Sequence, residues 1–378
     1  MRILPLLVFW CLWFLNFSTR TAFSPILPLI EDTLSLSHGE SGGLFTSLSI
    51  GYGISVFSAG RFASAWGHKK MVAAGFLFTG LAFVAFQWAE SYLAFQVLFF
   101  FLGLASGPYL PAILPIITEM YEYRYWGKAI GFHDSAAGFS TFLLPILAVF
   151  ALGFLSWRAF LLVLASGCFL LPVLFWKVSI EPKKEGPQAR VRLADLLKKK
   201  SIWILAILWI FSAGSSLGIY SILPLYLVKE RGIDFYFANT LFGISRAGGA
   251  IVQILIGFLI DRYGYTRILK VTVLATGLAT VALSFSSTLT QISIALILQA
   301  TLSVSFFPVG LAAISKVTSV SERAMAVGFV GSVGTVFGSG IVPLLLGVVA
   351  DNFSFMIGIL GLGILTSLSA FAVKLLKV

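Results

Sequence analysis

The run SIWILAILWIFSAGSSLGIYSILPLYL, residues 201 to 227, holds no charged side chain. About 20 apolar residues are enough to cross the hydrocarbon of a bilayer as a helix, and there each backbone N–H and C=O must find its partner within the segment. Comparable runs recur along the whole chain. We read twelve, at 3–29, 40–62, 71–89, 92–117, 126–150, 157–176, 201–227, 237–260, 268–286, 290–314, 324–349 and 354–374. The predicted fold class is an all-α membrane protein. Composition agrees: 58% of residues are hydrophobic and 11% charged, against about 25% charged in soluble domains. The first run follows Arg2 as a secretory signal would, but it continues past signal length with no A-x-A-like site, so we expect it to remain as a span.

Charge placement sets the orientation. An even number of spans puts both termini on one side. Most of the 26 lysines and arginines fall in loops on that side, including Lys69, Lys70, Arg124, Lys128, Arg262, Arg267 and Lys270, whereas the opposite loops hold only Arg158, Lys229 and Arg231. The positive-inside rule then makes both termini cytoplasmic, in a plasma (inner) membrane. The net charge of +11 is accounted for by topology and attraction to the lipid surface, with no nucleic-acid partner implied. Cys11 and Cys168 both lie in apolar runs, so neither a disulfide framework, a metal site nor a cofactor is expected.

The stretch KVSIEPKKEGPQARVRLADLLKKKS, Lys177 to Ser201, is polar and basic. It divides the chain into an expected six-helix bundle at 1–176, a cytoplasmic linker at 177–200 and a second bundle at 201–378. The two halves repeat each other. A shift of 197 residues superposes Leu44 on Leu241, Phe45 on Phe242, Gly51 on Gly248, Gly60 on Gly257, Gly67 on Gly264, Pro111 on Pro308 and Gly131-Phe132 on Gly328-Phe329. With one residue of slip, ILPL at 26–29 meets ILPL at 222–225. Parallel repeats of this kind are an architecture of alternating-access carriers.

The loops between the second and third spans of the two halves share two glycines seven residues apart, with basic positions after the second. GFLIDRYGYTR supplies Gly257, Asp261, Arg262, Gly264 and Arg267; GRFASAWGHKK supplies Gly60, Gly67, Lys69 and Lys70, with Ser64 at the position of Asp261. On these motifs the chain resembles the major facilitator superfamily over nearly its whole length. The resemblance implies twelve helices as two parallel six-helix repeats, a substrate site between the halves, and a role for these loops in latching the cytoplasmic face. Glycine permits the tight turn, and Asp261 can accept from a neighbouring helix N-terminus. A Gly-Pro pair found in drug-exporting members is missing from GFHDSAAGFSTFLLP, 131–145.

Formal charges inside a membrane are costly and are kept where they face a cavity, pair or work. Three lie well inside the spans: Arg20, Asp134 and Arg246, with His133 beside the aspartate. Arg20 is roughly 25 Å along its helix from the cytoplasmic end, and Arg246 roughly 22 Å above Asp261, so the two share a depth. A guanidinium stays charged and matches a carboxylate bidentately. Both arginines are candidate ligands for an anion, with a structural Arg20–Asp134 pair as the alternative. Asp134 is the candidate proton carrier and His133 a lesser one. Adjacent residues point about 100° apart, so these two cannot face one cavity together. Asn16, Tyr52, Tyr109, Tyr220 and Gln253 are candidate orienting donors, or interhelical hydrogen-bonding groups.

The function this favours is a secondary transporter for a small organic anion, a carboxylate, by proton-coupled symport. It is expected to work as a monomer in the lipid bilayer, with the anion and protons as partners. A cationic-drug antiporter wants a negative cavity, and these three charges sum to +1. A nitrate-type exchanger and a receptor with the carrier fold are further alternatives. No loop is long enough for a catalytic domain, and with only three histidines and no nucleophile constellation an enzyme is not expected.

Overall fold

The computed structural model describes residues 3–183 and 192–376, so the central part of the basic linker, 184–191, lies outside the described residues. Helices account for nearly all of them, and no strand occurs among the described residues. Nine helical stretches among them are long and apolar enough to cross a membrane. The runs read as spans at 40–62, 71–89 and 237–260 are helical but fall outside that set. For two of them the content explains this: the first is rich in glycine and serine, and the second opens on His-Lys-Lys. The chain forms two compact units, residues 1–34 with 47–187 and residues 35–46 with 188–378.

The first unit comprises α1 (Ile3–Thr21), α2 (Phe23–Leu34), the part of α3 (His38–Trp66) from Ser47, α4 (His68–Ala85), α5 (Tyr92–Ser106), α6 (Tyr109–Met120), α7 (Trp126–Leu152) and α8 (Trp157–Val178). Pro25 and Pro28 return no N–H to the carbonyls of Thr21 and Ser24, which explains the interruption at Ala22. The hydroxyls of Ser91 and Ser156 cap α5 and α8 by accepting from Ala94 N and Ala159 N. α1 packs chiefly on α7 and α4 on α8. Phe23 anchors an aromatic core, with ring centroids 4.3 Å from Phe99 and 4.9 Å from Phe86. α3 and α5 meet at backbone distance: a Cβ on Gly51 would lie 2.1 Å from Phe100 O, and one on Gly103 2.0 Å from Leu48 O.

The second unit holds α9 (Leu193–Leu197), α10 (Lys200–Ala213), α11 (Ile219–Leu225), α12 (Phe235–Ser245), α13 (Gly248–Tyr263), α14 (Tyr265–Phe285), α15 (Leu289–Ser303), α16 (Phe306–Val317), α17 (Val320–Val333), α18 (Val342–Asn352) and α19 (Phe355–Ser369). π-helical turns occupy Gly214–Gly218, Tyr226–Glu230 and Gly334–Ile341. Two of them flank prolines, Pro224 and Pro343, that cannot continue the α ladder. At the first, Gln299 Nε2 donates to Ser215 O at 2.6 Å, and Ser215 and Thr366 share a hydroxyl bond of 2.8 Å. Carboxylates from distant segments close helix N-termini. Asp351 accepts from His38 N and Gly39 N, both at 2.8 Å, and Glu230 from Phe355 N and Met356 N. Each satisfies donors that a helix leaves free and meets the positive end of its dipole.

Candidate functional site

Each unit carries one of the two candidate arginines at a helix end. Arg20 stands in the last turn of α1, and Arg246 follows α12 directly. Helix C-termini present partly negative carbonyls, which favour a cation there. At Arg246 the chain tightens: Arg246 N and Ala247 N bond three residues back, to Gly243 O at 3.0 Å and Ile244 O at 3.1 Å. The Ser245 hydroxyl covers the Phe242 carbonyl at 2.7 Å, so the break leaves few loose groups.

Neither guanidinium is paired with an acid among the described residues. Arg246 is 5% exposed, and its Nε and Nη2 find no hydrogen-bond partner; the Nε of half-buried Arg20 is likewise unsatisfied. The structural Arg20–Asp134 pair considered from the sequence is not formed within the 4.0 Å of an ion pair; Asp134 instead accepts from the Trp13 indole N–H at 3.3 Å. Aromatic faces take the place of the acid. The Arg20 guanidinium carbon lies 4.4 Å from the ring centroids of Phe17 and Tyr52 and 5.8 Å from that of Trp13. That of Arg246 lies 4.8 Å from Tyr220 and 5.9 Å from Phe242. Each such contact contributes about 0.5–2 kcal/mol and leaves the in-plane N–H groups free to donate.

The remaining candidates divide. Around Arg20 the structure gathers Tyr52 from α3, with Asp134 reached through Trp13; Asp134 is exposed on α7, whereas its neighbour His133 is fully buried. Tyr109 donates to Phe9 O at 3.0 Å and lies 3.1 Å from His133 Nε2. Since the phenol has one hydrogen, His133 Nε2 must carry the proton of that bond, which leaves Nδ1 as an acceptor without a partner. Asn16 donates to Ser106 O at 3.1 Å and is buried. Tyr220 joins Arg246. Gln253 is exposed and makes no hydrogen bond among the described residues. Trp13, Phe17 and Phe242 were missed from the sequence. Their signal is spacing: seven and three residues before Arg20 and four before Arg246 place each ring on the arginine's own helix face.

The loop motifs adopt the turns their glycines permit. Gly67 and Gly264 have φ of +90° and +78°, a region costly for other residues. In the first unit, the Glu181 carboxylate accepts from His68 N at 2.6 Å and Lys69 N at 3.0 Å, capping α4. Lys69 Nζ donates to Trp176 O and Ser179 O, fastening the same corner. In the second unit, Asp261 is exposed and caps nothing among the described residues, while the guanidinium carbons of Arg262 and Arg267 lie 5.3 and 5.8 Å from the Tyr263 ring centroid. A Cβ on Gly60 or Gly257 would meet nothing within 4 Å, and Lys70 is exposed.

A helical chain of long apolar stretches with an arginine set among aromatic rings in each unit has the make-up of a polytopic membrane protein. The chain belongs to the Major Facilitator Superfamily, whose model matches residues 9–304 and, overlapping them, 241–378. Membership of that family of transporters sets it apart from enzymes. It is 28% identical to the hexuronate transporter of Bacillus subtilis over 58% of this chain, and spans only 55% of that relative's length. It is 27% identical to a probable sulfoacetate transporter of Cupriavidus necator, over 78% of this chain and 74% of that protein, and 24% identical to the membrane sensor protein UhpC of Escherichia coli, over 68% and 64%. Among solved structures, a bacterial homologue of the human lysosomal transporter Spinster superposes with a TM-score of 0.84 at 15% identity, covering 98% of this chain and 96% of that one. A point mutant of the nucleoside transporter NupG gives 0.84 at 16%, covering 98% and 99%. These two likenesses concern the fold alone.

Proposed function

We propose that this protein is a secondary active transporter that moves a small organic anion, a carboxylate, by alternating access with proton-coupled symport, through twelve spans arranged as two parallel repeats. The observation that carries the reading is the state of the two arginines: permanent cations, held on aromatic faces, with N–H groups unsatisfied and no acid within ion-pair distance. An unpartnered buried guanidinium costs several kcal/mol, which a bidentate carboxylate offsets. The names of two relatives, a hexuronate transporter and a probable sulfoacetate transporter, supply cargo of the same charge. Tyr52 and Tyr220 frame the guanidinium groups, Asn16, Tyr109 and Gln253 are assigned supporting polar roles, and Asp134 with His133 is assigned the proton. Support for the repeat comes from Gly67 and Gly264, positive-φ turns 197 residues apart. Gly51 and Gly248 add to it, packing beside Leu104 and Thr301, which the same shift superposes.

Uptake into vesicles reconstituted with the purified protein tests this. The panel is glucuronate, galactonate, sulfoacetate, lactate, nitrate, a neutral hexose and a cationic dye, each with and without an inward proton gradient. Accumulation of one of the organic anions, enhanced by the gradient, is expected. In Arg246→Lys, which keeps the charge and loses the fork, uptake is expected to fall about 10- to 100-fold, the worth of one or two charge-assisted hydrogen bonds. Uptake of dye alone, or a lysine variant equal to the parent, overturns the reading. The similarity to a membrane sensor favours a second reading, a receptor that binds without transporting. Saturable binding of an organic anion in detergent with no vesicle uptake would establish it.

A further inference from the structure

Trp13 touches both the cation and the acid of the first unit. Its ring centroid lies 5.8 Å from the Arg20 guanidinium carbon, and its indole N–H donates to Asp134 Oδ1 at 3.3 Å. The ring is held by stacking on Tyr109 at 5.4 Å with an interplanar angle of 9° and on His133 at 5.7 Å and 13°. Trp13 is 4% exposed, so it has little freedom to leave this arrangement. One rigid side chain from α1 thus joins a group able to hold an anion to a group able to hold a proton.

We propose that Trp13 is a positioning residue that couples anion binding at Arg20 to proton uptake at Asp134; this rests on the symport reading above. An indole N–H only donates, so it bonds the carboxylate form of Asp134 more strongly than the acid form. A cation over the indole face draws electron density from the ring and strengthens that donor. Before the anion binds, Arg20 therefore supports the deprotonated acid through the ring. An anion on Arg20 cancels the cation's pull, the N–H becomes a weaker donor, and Asp134 takes a proton from water. Anion and proton are then loaded together. The groups flanking Trp13 are Cys11 and Arg20 on α1, Tyr52 on α3, Tyr109 on α6, and His133 and Asp134 on α7. The other charged groups on α7 and the elements packed against it, namely Lys128 on α7, Arg124 in the turn before it, Glu31 and Asp32 on α2, Glu119 on α6, and Arg158 and Lys177 on α8, stand toward helix ends.

The test compares parent, Trp13→Phe, Asp134→Asn and the double variant in proteoliposomes, with the anion of the above panel that the parent accumulates most. Two rates are read: accumulation driven by an inward proton gradient, and anion exchange at equal pH on both sides. Phe keeps an aromatic face and lacks the N–H, so the ratio of accumulation to exchange is expected to fall about tenfold, the loss of one hydrogen bond to a charged group. In the Asp134→Asn background, Trp13→Phe is expected to leave that ratio unchanged. If Trp13→Phe does not reach the membrane, Trp13→Tyr removes the same N–H and is read the same way. An unchanged ratio, an equal loss of both rates, or a further loss in the Asp134→Asn background overturns the role given to Trp13. A parent that takes up no anion of the panel sinks the symport reading itself and this coupling with it, an outcome visible without any variant.

Discussion

Replacing Gly103 by alanine puts one methyl where two helices already touch. Its Cβ would lie 2.0 Å from Leu48 O and 2.7 Å from Tyr52 N, against about 3.4 Å for ordinary contact, so α3 and α5 must part by more than 1 Å. Forcing a methyl into such a contact costs about 1–3 kcal/mol. The displacement also reaches the site, because Tyr52 shares its ring with Arg20 at 4.4 Å. Gly361→Ala is the comparison: a Cβ there meets nothing within 4 Å, and alanine gains up to about 1 kcal/mol of helix propensity. Thermal unfolding in detergent at a fixed scan rate, followed with a thiol-reactive dye, suits the chain because Cys168 is buried and Cys11 partly so. The Gly103→Ala midpoint is expected to fall by roughly 1–4 °C, and that of Gly361→Ala to hold or rise slightly. Equal midpoints would refute the claim that backbone contact fixes this crossing.

Two further changes probe how the units are closed. Glu181→Gln keeps the shape and one acceptor oxygen but removes the charge facing the N-terminus of α4, and a loss of about 1 kcal/mol, smaller at high salt, is expected from unfolding scans at two ionic strengths. Gln299→Leu removes the donor to Ser215 O at the π-helical turn and is expected to destabilise by about 1–3 kcal/mol in the same assay, an orphaned carbonyl being the larger part.

Nine of the spans were legible because an apolar helix satisfies its own backbone in lipid, and the length of an apolar run reports it directly. Gly51 and Gly248 were legible as positions matched by the repeat, and the structure adds the close approach that each makes to a neighbouring helix. The break at Arg246–Ala247 was not, since neither residue is a strong helix breaker and the tightened turn depends on its surroundings. Trp13 and Phe17 were lost among 36 phenylalanines and nine tryptophans, most of which have only packing or lipid to meet. Reading aromatic spacing outward from each buried arginine would have separated them. Glu181 was hidden by its position in the linker, because its partners, His68 and Lys69, lie over a hundred residues away in sequence.

The manner in which Arg20 and Arg246 are held has a kinetic consequence. A cation clamped by an aspartate must shed that partner before it can greet a guest and win it back afterwards, adding a barrier to every cycle. Ring faces and carbonyl ends steady the charge from above and behind while its hydrogen-bonding rim stays unclaimed. In the transport cycle we propose, loading and release then need no internal exchange of partners, so occupancy at these arginines can follow the concentration of anion on whichever side is open.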